Sequence, residues 1–179
     1  MQLRAYELWS SLLRRGHLPL IADLEPGGYP SLSPFSVLLD FSARRSDPAI
    51  AYLGERLAAE CGIALGDAAC VSHLPERCLL ARVAEHYVKP MISSEPIGFE
   101  AEFVNQRGKT ILYRGILLPF SRQGRAIEYV FAVIGWKELA DPALVESLEH
   151  ELGRALMTAL EPAGAVAAHG APASPACVF

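Results

Sequence analysis

No apolar run in this chain reaches the roughly 18 consecutive residues that a membrane-spanning helix needs. The N-terminal MQLRAYELWSSLLRRG carries charges throughout, unlike a segment that a translocon would accept. Basic charge is also scarce, with 16 Lys and Arg against 20 Asp and Glu and a formal net charge of −4. Neutralising phosphates takes a concentrated excess of Lys and Arg, so neither nucleic acid nor an anionic lipid surface is the expected partner. The four cysteines, Cys61, Cys70, Cys78 and Cys177, follow no regular spacing, which leaves no disulfide framework and predicts reduced thiols in the cytoplasm. The terminal ACVF has Ala176 where a prenylation signal needs Cys, so no lipid anchor is expected. A Gly-rich phosphate loop, a nucleophile elbow, an HExxH segment and a paired acidic motif are all missing, and the chain reads as a non-enzyme.

What the sequence does hold is enough apolar material for one core: 51% of the residues are hydrophobic and 20% charged. From Phe99 to Trp136, FEAEFVN, TILYRGILLPF and AIEYVFAVIGWKE are separated by the short turns QRGK and SRQGR. Gly108 and Gly124 supply the positive φ of tight hairpin loops, so the stretch predicts a three-stranded antiparallel meander. The strands 110–120 and 126–137 carry apolar residues on both faces, Tyr129, Phe131 and Val133 on one and Val130, Ala132, Ile134 and Trp136 on the other. Both faces therefore need cover.

Leu3, Tyr6, Trp9, Leu12 and Leu13 recur at helical spacing, and Arg14, Arg15 and Gly16 suit a helix end, which predicts a helix over 2–15. The Pro- and Gly-rich residues up to 33 read as an extended connector. SPFSVLLDF and AIAYLG give two strands, and ERLAAECG a short helix stopped by Gly62. A longer helix is predicted from Pro75 towards Pro90, with Leu79, Leu80, Val83, Tyr87 and Met91 in phase. Asp141 and Pro142 open a last helix striped by Leu144, Val145, Leu148, Leu152, Leu156 and Leu160. The predicted organisation is a helix and connector over 1–33, a core over 34–138, a helix over 139–160, and a disordered Ala/Pro/Gly tail over 161–179.

Two strands, small helices, a longer helix and a three-stranded meander resemble the PAS sensor family over about residues 5–138. The resemblance is to its short alphaproteobacterial single-domain members. It is carried by Trp9; by Leu18, Pro19, Ala22, Asp23 and Pro26; by Pro34, Leu39 and Asp40; by Gly54 and Leu57; and most specifically by Tyr113–Glu138. It implies an α+β fold, a five-stranded antiparallel sheet with the helical middle on its concave face and the N-terminal helix outside it, commonly at a homodimer interface. It also implies a bacterial sensory or regulatory module acting through protein contact, with or without a small apolar ligand between sheet and helices. With only a helix and a tail after Glu138, output is expected through a partner such as a histidine kinase or another regulator.

Pocket candidates on this reading are Leu79, Val83, Phe103, Leu117 and Phe131, with Arg114 as a mid-strand cation needing a carboxylate, a ligand or an exit to solvent. Interface candidates are Leu3, Tyr6, Trp9 and Leu13. The haem ligand position of oxygen-sensing relatives falls near Val83, about one turn before His86, so His86 reads as a surface or capping residue. Cys70 lies where flavin photoreceptors carry their adduct cysteine, but GDAACVSHLP lacks their Asn, Arg and Gln, and Cys70 reads as a buried structural thiol. Cys70, His73 and Cys78 could begin a metal site but have no obvious fourth ligand. Glu149, His150 and Glu151 read as a solvated helix face. The competing readings are a small α+β enzyme or ligand carrier, and a purely structural dimerisation adaptor.

Overall fold

The computed structural model describes residues 1–14, 17–64, 66, 69–87, 93–140 and 142–160. They belong to two units, residues 1–139 and the residues from 140 onward. In the first unit, β1 (Ser36–Asp40), β2 (Ala49–Leu53), β3 (Ile97–Val104), β4 (Thr110–Phe120) and β5 (Tyr129–Glu138) form one sheet in the order β2-β1-β5-β4-β3. Every neighbouring pair is antiparallel. Helix α1 (Gln2–Ser11) precedes the sheet, while α2 (Glu55–Cys61), a 3-10 turn at Val71–His73 and α3 (Leu79–Ala84) lie between β2 and β3. The fold is α+β and PAS-like, with the last strand inserted between the first and the fourth.

Local chemistry sets the turns. Asn105 is buried, and its Oδ1 accepts the N–H groups of Arg107 (2.9 Å) and Lys109 (3.1 Å), closing the β3–β4 hairpin around Gly108 at φ 73°. In the next loop the buried Ser121 Oγ accepts the N–H of Gly124 at 2.9 Å.

Alternation along β4 and β5 sends side chains to two separate cores. The inner core joins Val37, Leu39, Tyr113, Leu117, Val130 and Ile134 to residues of α2 and α3. The outer core joins Leu38, Leu118, Phe120, Phe131 and Val133 to Ala5 and Trp9 of α1 and to Leu24 and Leu32 of the connector. Trp136, at the end of β5, is only half-buried and meets Phe35 edge-on at 5.6 Å between centroids.

Several boundaries differ from the sequence reading. Helix α1 ends at Ser11, and Arg14, expected in its last turn, instead pairs with Asp23 at 2.8 Å; Arg15 and Gly16 lie outside the described residues. The connector is folded more tightly than an extended chain, with 3-10 turns at Ile21–Asp23 and Ser33–Phe35. Helix α3 starts four residues after Pro75, because a turn in which the Cys78 N–H donates to the Pro75 carbonyl comes first, and Cys78 is the N-cap. Pro90 and Met91 lie outside the described residues. Strand β5 begins at Tyr129, not at 126.

In the second unit, α4 (Pro142–Leu160) carries exposed Val145, Leu148, Leu152 and Leu156; Asp141 and residues 161–179 lie outside the described residues. No helix among the described residues is long and apolar enough to cross a membrane.

Candidate functional site

Helix α1 crosses the outer face of the sheet. Its Ala5 is fully buried and Trp9 is 6% exposed. The Trp9 Nε1–H donates to the Pro119 carbonyl of β4 at 2.8 Å, so the indole buries its area without leaving its one donor unpaired. Near the start of the helix, Gln2 Nε2 donates to the Gly115 carbonyl at 2.9 Å. Gly115 has no room for a side chain: a Cβ there would run into Phe99 and the Val133 carbonyl. Trp9 is thus an anchor within the chain and is removed from the interface candidates, because an indole already enclosed by its own sheet has no face left for a partner. The other three candidates are solvent-facing: Leu3 is 69% exposed, Tyr6 46% and Leu13 44%.

Arg114 lies on the outer face of β4, cross-strand from Glu100 of β3, and is exposed. Beside it is an open depression of about 390 Å³ lined also by Met1, Gln2, Glu100, Leu112 and Lys137. Arg114 therefore reaches solvent beyond the start of α1 and is not a residue of the space between sheet and helical middle. Phe131 is misplaced in the same way. The register pairs Leu117 with Ala132 and Leu118 with Phe131, so period-two alternation puts Phe131 on the outer face, opposite Leu117.

Leu79, Val83 and Leu117 do come together on the inner face, at 1%, 1% and 0% exposure, with Phe103 half-buried against the same core. At these positions the space between sheet and helices is filled by side chains. His86 follows the end of α3 and lies flat on Phe99, with 5.1 Å between ring centroids and 14° between planes. It is in a turn and not on the helix, and the imidazole packs as an aromatic plate. Burial pushes the Tyr113 phenol above its ordinary value nearby.

Cys70 is half-buried, not buried: it flanks the edge strand β2 through a bridge to Ala49, and neighbouring backbone bonds, Ile50 N–H to the Ala69 carbonyl and Val71 N–H to the Pro48 carbonyl, cover that edge. His73 is exposed in the following 3-10 turn. Among the described residues no three His, Cys, Asp or Glu side chains gather as a metal-ligand group. Glu149, His150 and Glu151 are exposed on α4.

What reading the sequence missed is the pairing of Cys61 with Cys78, which its spacing groups instead with Cys70 and His73. Cys61 ends α2 and Cys78 begins α3, and both thiols are buried in the inner core. The signal was present as a Cys immediately before Gly62 and a Cys immediately before Leu79–Leu80, each at a helix boundary.

No family model matches the sequence, and no curated protein matches it. Among solved structures, the PAS domain of BvgS from Bordetella pertussis is similar at 11% identity, with 66% of this chain and 85% of that chain covered and a TM-score of 0.36. A light-oxygen-voltage domain studied with a flavin analogue is similar at 16% identity, over 66% and 87% of the two chains, with a TM-score of 0.39. The LOV protein of Rhodobacter sphaeroides is similar at 12% identity, over 89% and 80%, with a TM-score of 0.41. At these values the likeness carries no weight about ligands or partners, and the PAS-like description of the fold stands on its strand order and pairing.

Proposed function

We propose that this chain is a PAS-like sensory or regulatory module, not an enzyme, that works by protein contact through α1, pairing with a second copy and passing its state to a signalling protein such as a histidine kinase. The observation that carries this reading is that α1 is apolar in two directions. Ala5 and Trp9 hold it on the sheet, while Leu3, Tyr6 and Leu13, just past the helix end, turn large apolar surfaces to water. Burying the second set against a partner would give about 1.5–3 kcal/mol per fully covered side chain. The filled inner space at Leu79, Val83 and Leu117 supports relay by contact over capture of a small ligand there. Neither His86, stacked on Phe99, nor Cys70, beside β2, is set up to hold a haem or a flavin.

Sedimentation of the full chain tests this. The expected result is a dimer that becomes monomeric in Leu3→Glu/Leu13→Glu with unchanged circular dichroism. A parent protein that stays monomeric, or a variant that stays dimeric, would reject α1 as the contact. A Soret or flavin band in the purified protein would reject the ligand-free reading.

A further inference from the structure

Two thiols meet where the helical middle folds back on itself. Cys61 is the last residue of α2 and Cys78 the N-cap of α3, and each is 2% exposed. Their sulfurs accept the N–H groups of two successive residues, Leu80 to Cys61 Sγ at 3.4 Å and Ala81 to Cys78 Sγ at 3.3 Å. Both sulfurs are therefore fixed on the same turn of backbone. An opening of about 120 Å³ reaches them from solvent, lined also by Arg77, Asn105, Gln106 and Arg107. That is room for a molecule a few atoms across.

The two thiols also hydrogen-bond to one another, and this contact separates their acidities. The hydrogen bond from Cys61, with the backbone N–H groups of Ala81 and Leu80, holds the Cys78 thiol below its ordinary value. The same hydrogen bond, together with burial and the negative charge of Cys78, pushes Cys61 far up. Cys78 is thus the more acidic thiol of the pair and Cys61 the less acidic.

We propose that Cys61 and Cys78 form a peroxide-reactive dithiol that closes to a disulfide between α2 and α3, with a small hydroperoxide as the oxidant. In the first step the Cys78 thiolate attacks the terminal oxygen of the hydroperoxide. The O–O bond breaks, the released alkoxide or hydroxide takes up a proton from water, and Cys78 becomes a sulfenic acid. Cys78 is then neutral, so the charge that kept the proton on Cys61 is gone. Cys61 loses that proton and attacks the Cys78 sulfur; the S–S bond forms, the S–O bond breaks, and the departing hydroxide leaves as water with the proton from Cys61. Over both steps, two thiols and one hydroperoxide give one disulfide, one alcohol (or water) and one water. The sulfurs lose two electrons and the peroxide gains two.

The pair differs from Cys70, which is half-buried beside β2. Closing the bond would tie the end of α2 to the start of α3 and make the helical middle a covalent loop.

The experiment is to treat the reduced full chain with hydrogen peroxide, alkylate the remaining thiols under denaturing conditions, and map the peptides by mass spectrometry. The expected product is a cross-link joining the Cys61 and Cys78 peptides, with Cys70 and Cys177 recovered alkylated and the cross-link retained in Cys70→Ser/Cys177→Ser. In Cys61→Ser, a 1,3-dione probe is expected to trap Cys78 as its sulfenic acid. The proposal is overturned if Cys61 and Cys78 are both recovered alkylated after Cys70 has been oxidised, or if either links instead to Cys70, Cys177 or a second chain. Should Cys61→Ser not fold, the cross-link map of the unaltered protein decides alone.

Discussion

The inner face of the sheet is covered by α2 and α3, which arrive from the chain between β2 and β3, whereas the outer face is covered by α1 and the connector, which arrive from before β1. The inner cover brings sulfur with it, in Cys61 and Cys78, and leaves a small opening to them. The outer cover brings tryptophan and a side-chain amide, and ties itself down by bonds to backbone carbonyls of β4. One face is thus joined to its cover by packing, with the two thiols bonded inside that cover, and the other by packing and directed hydrogen bonds. Stability resides in both, but among the described residues it is the outer cover that also turns large apolar side chains outward.

The largest effects should come from breaking either core. Phe131→Ala empties the outer side and should cost about 3–5 kcal/mol, and Leu117→Ala the inner side at about 2–5 kcal/mol. Both are read from denaturant unfolding, and a Phe131→Ala loss much below this range would mean that the outer cover can collapse onto the hole. Trp9→Phe sharpens the comparison, since it keeps a ring while leaving the Pro119 carbonyl without its donor. The expected loss is about 1–3 kcal/mol in the same measurement.

Leu3→Glu should change monomer stability by no more than about 0.5 kcal/mol, because the side chain is already in water. Its effect should appear in the dissociation constant for self-association. The smallest effect concerns the loop that covers β2, where Asp47 accepts the N–H and the hydroxyl of Ser72, both at 2.9 Å. Those bonds hold its carboxyl below the ordinary aspartate value. A depressed folded value means the contribution is present at neutral pH and is lost as pH falls through that value, so Asp47→Asn should differ from the parent near neutrality and converge with it in acid. A difference that persists in acid would place its origin elsewhere.

The sheet was legible because its signals are local. Gly108 and Gly124 mark the turns, and alternation assigns each side chain of β5 to a face. The same alternation already set Phe131 apart from Ala132, and including Phe131 in the inner pocket ignored it. The extent of α3 was not legible, since Leu79, Leu80 and Val83 keep helical phase whether the helix starts at Pro75 or at Leu79. What decides is the turn from Pro75 to Cys78. Trp9 was read as apolar surface seeking a partner because its acceptor, the Pro119 carbonyl, is more than a hundred residues away. The thiol pair was hidden for the same reason: Cys61 and Cys78 are adjacent only after α2 and α3 have turned back on each other.

The placement of β5 has a bearing on how the molecule is made. β1 pairs with β2, and β3 pairs with β4, and among the described residues it is β5 that joins the two pairs. During synthesis the ribosome delivers two separate hairpins and must extrude Tyr129–Glu138 before they can be stitched together, so the last strand to emerge completes the sheet begun by the first.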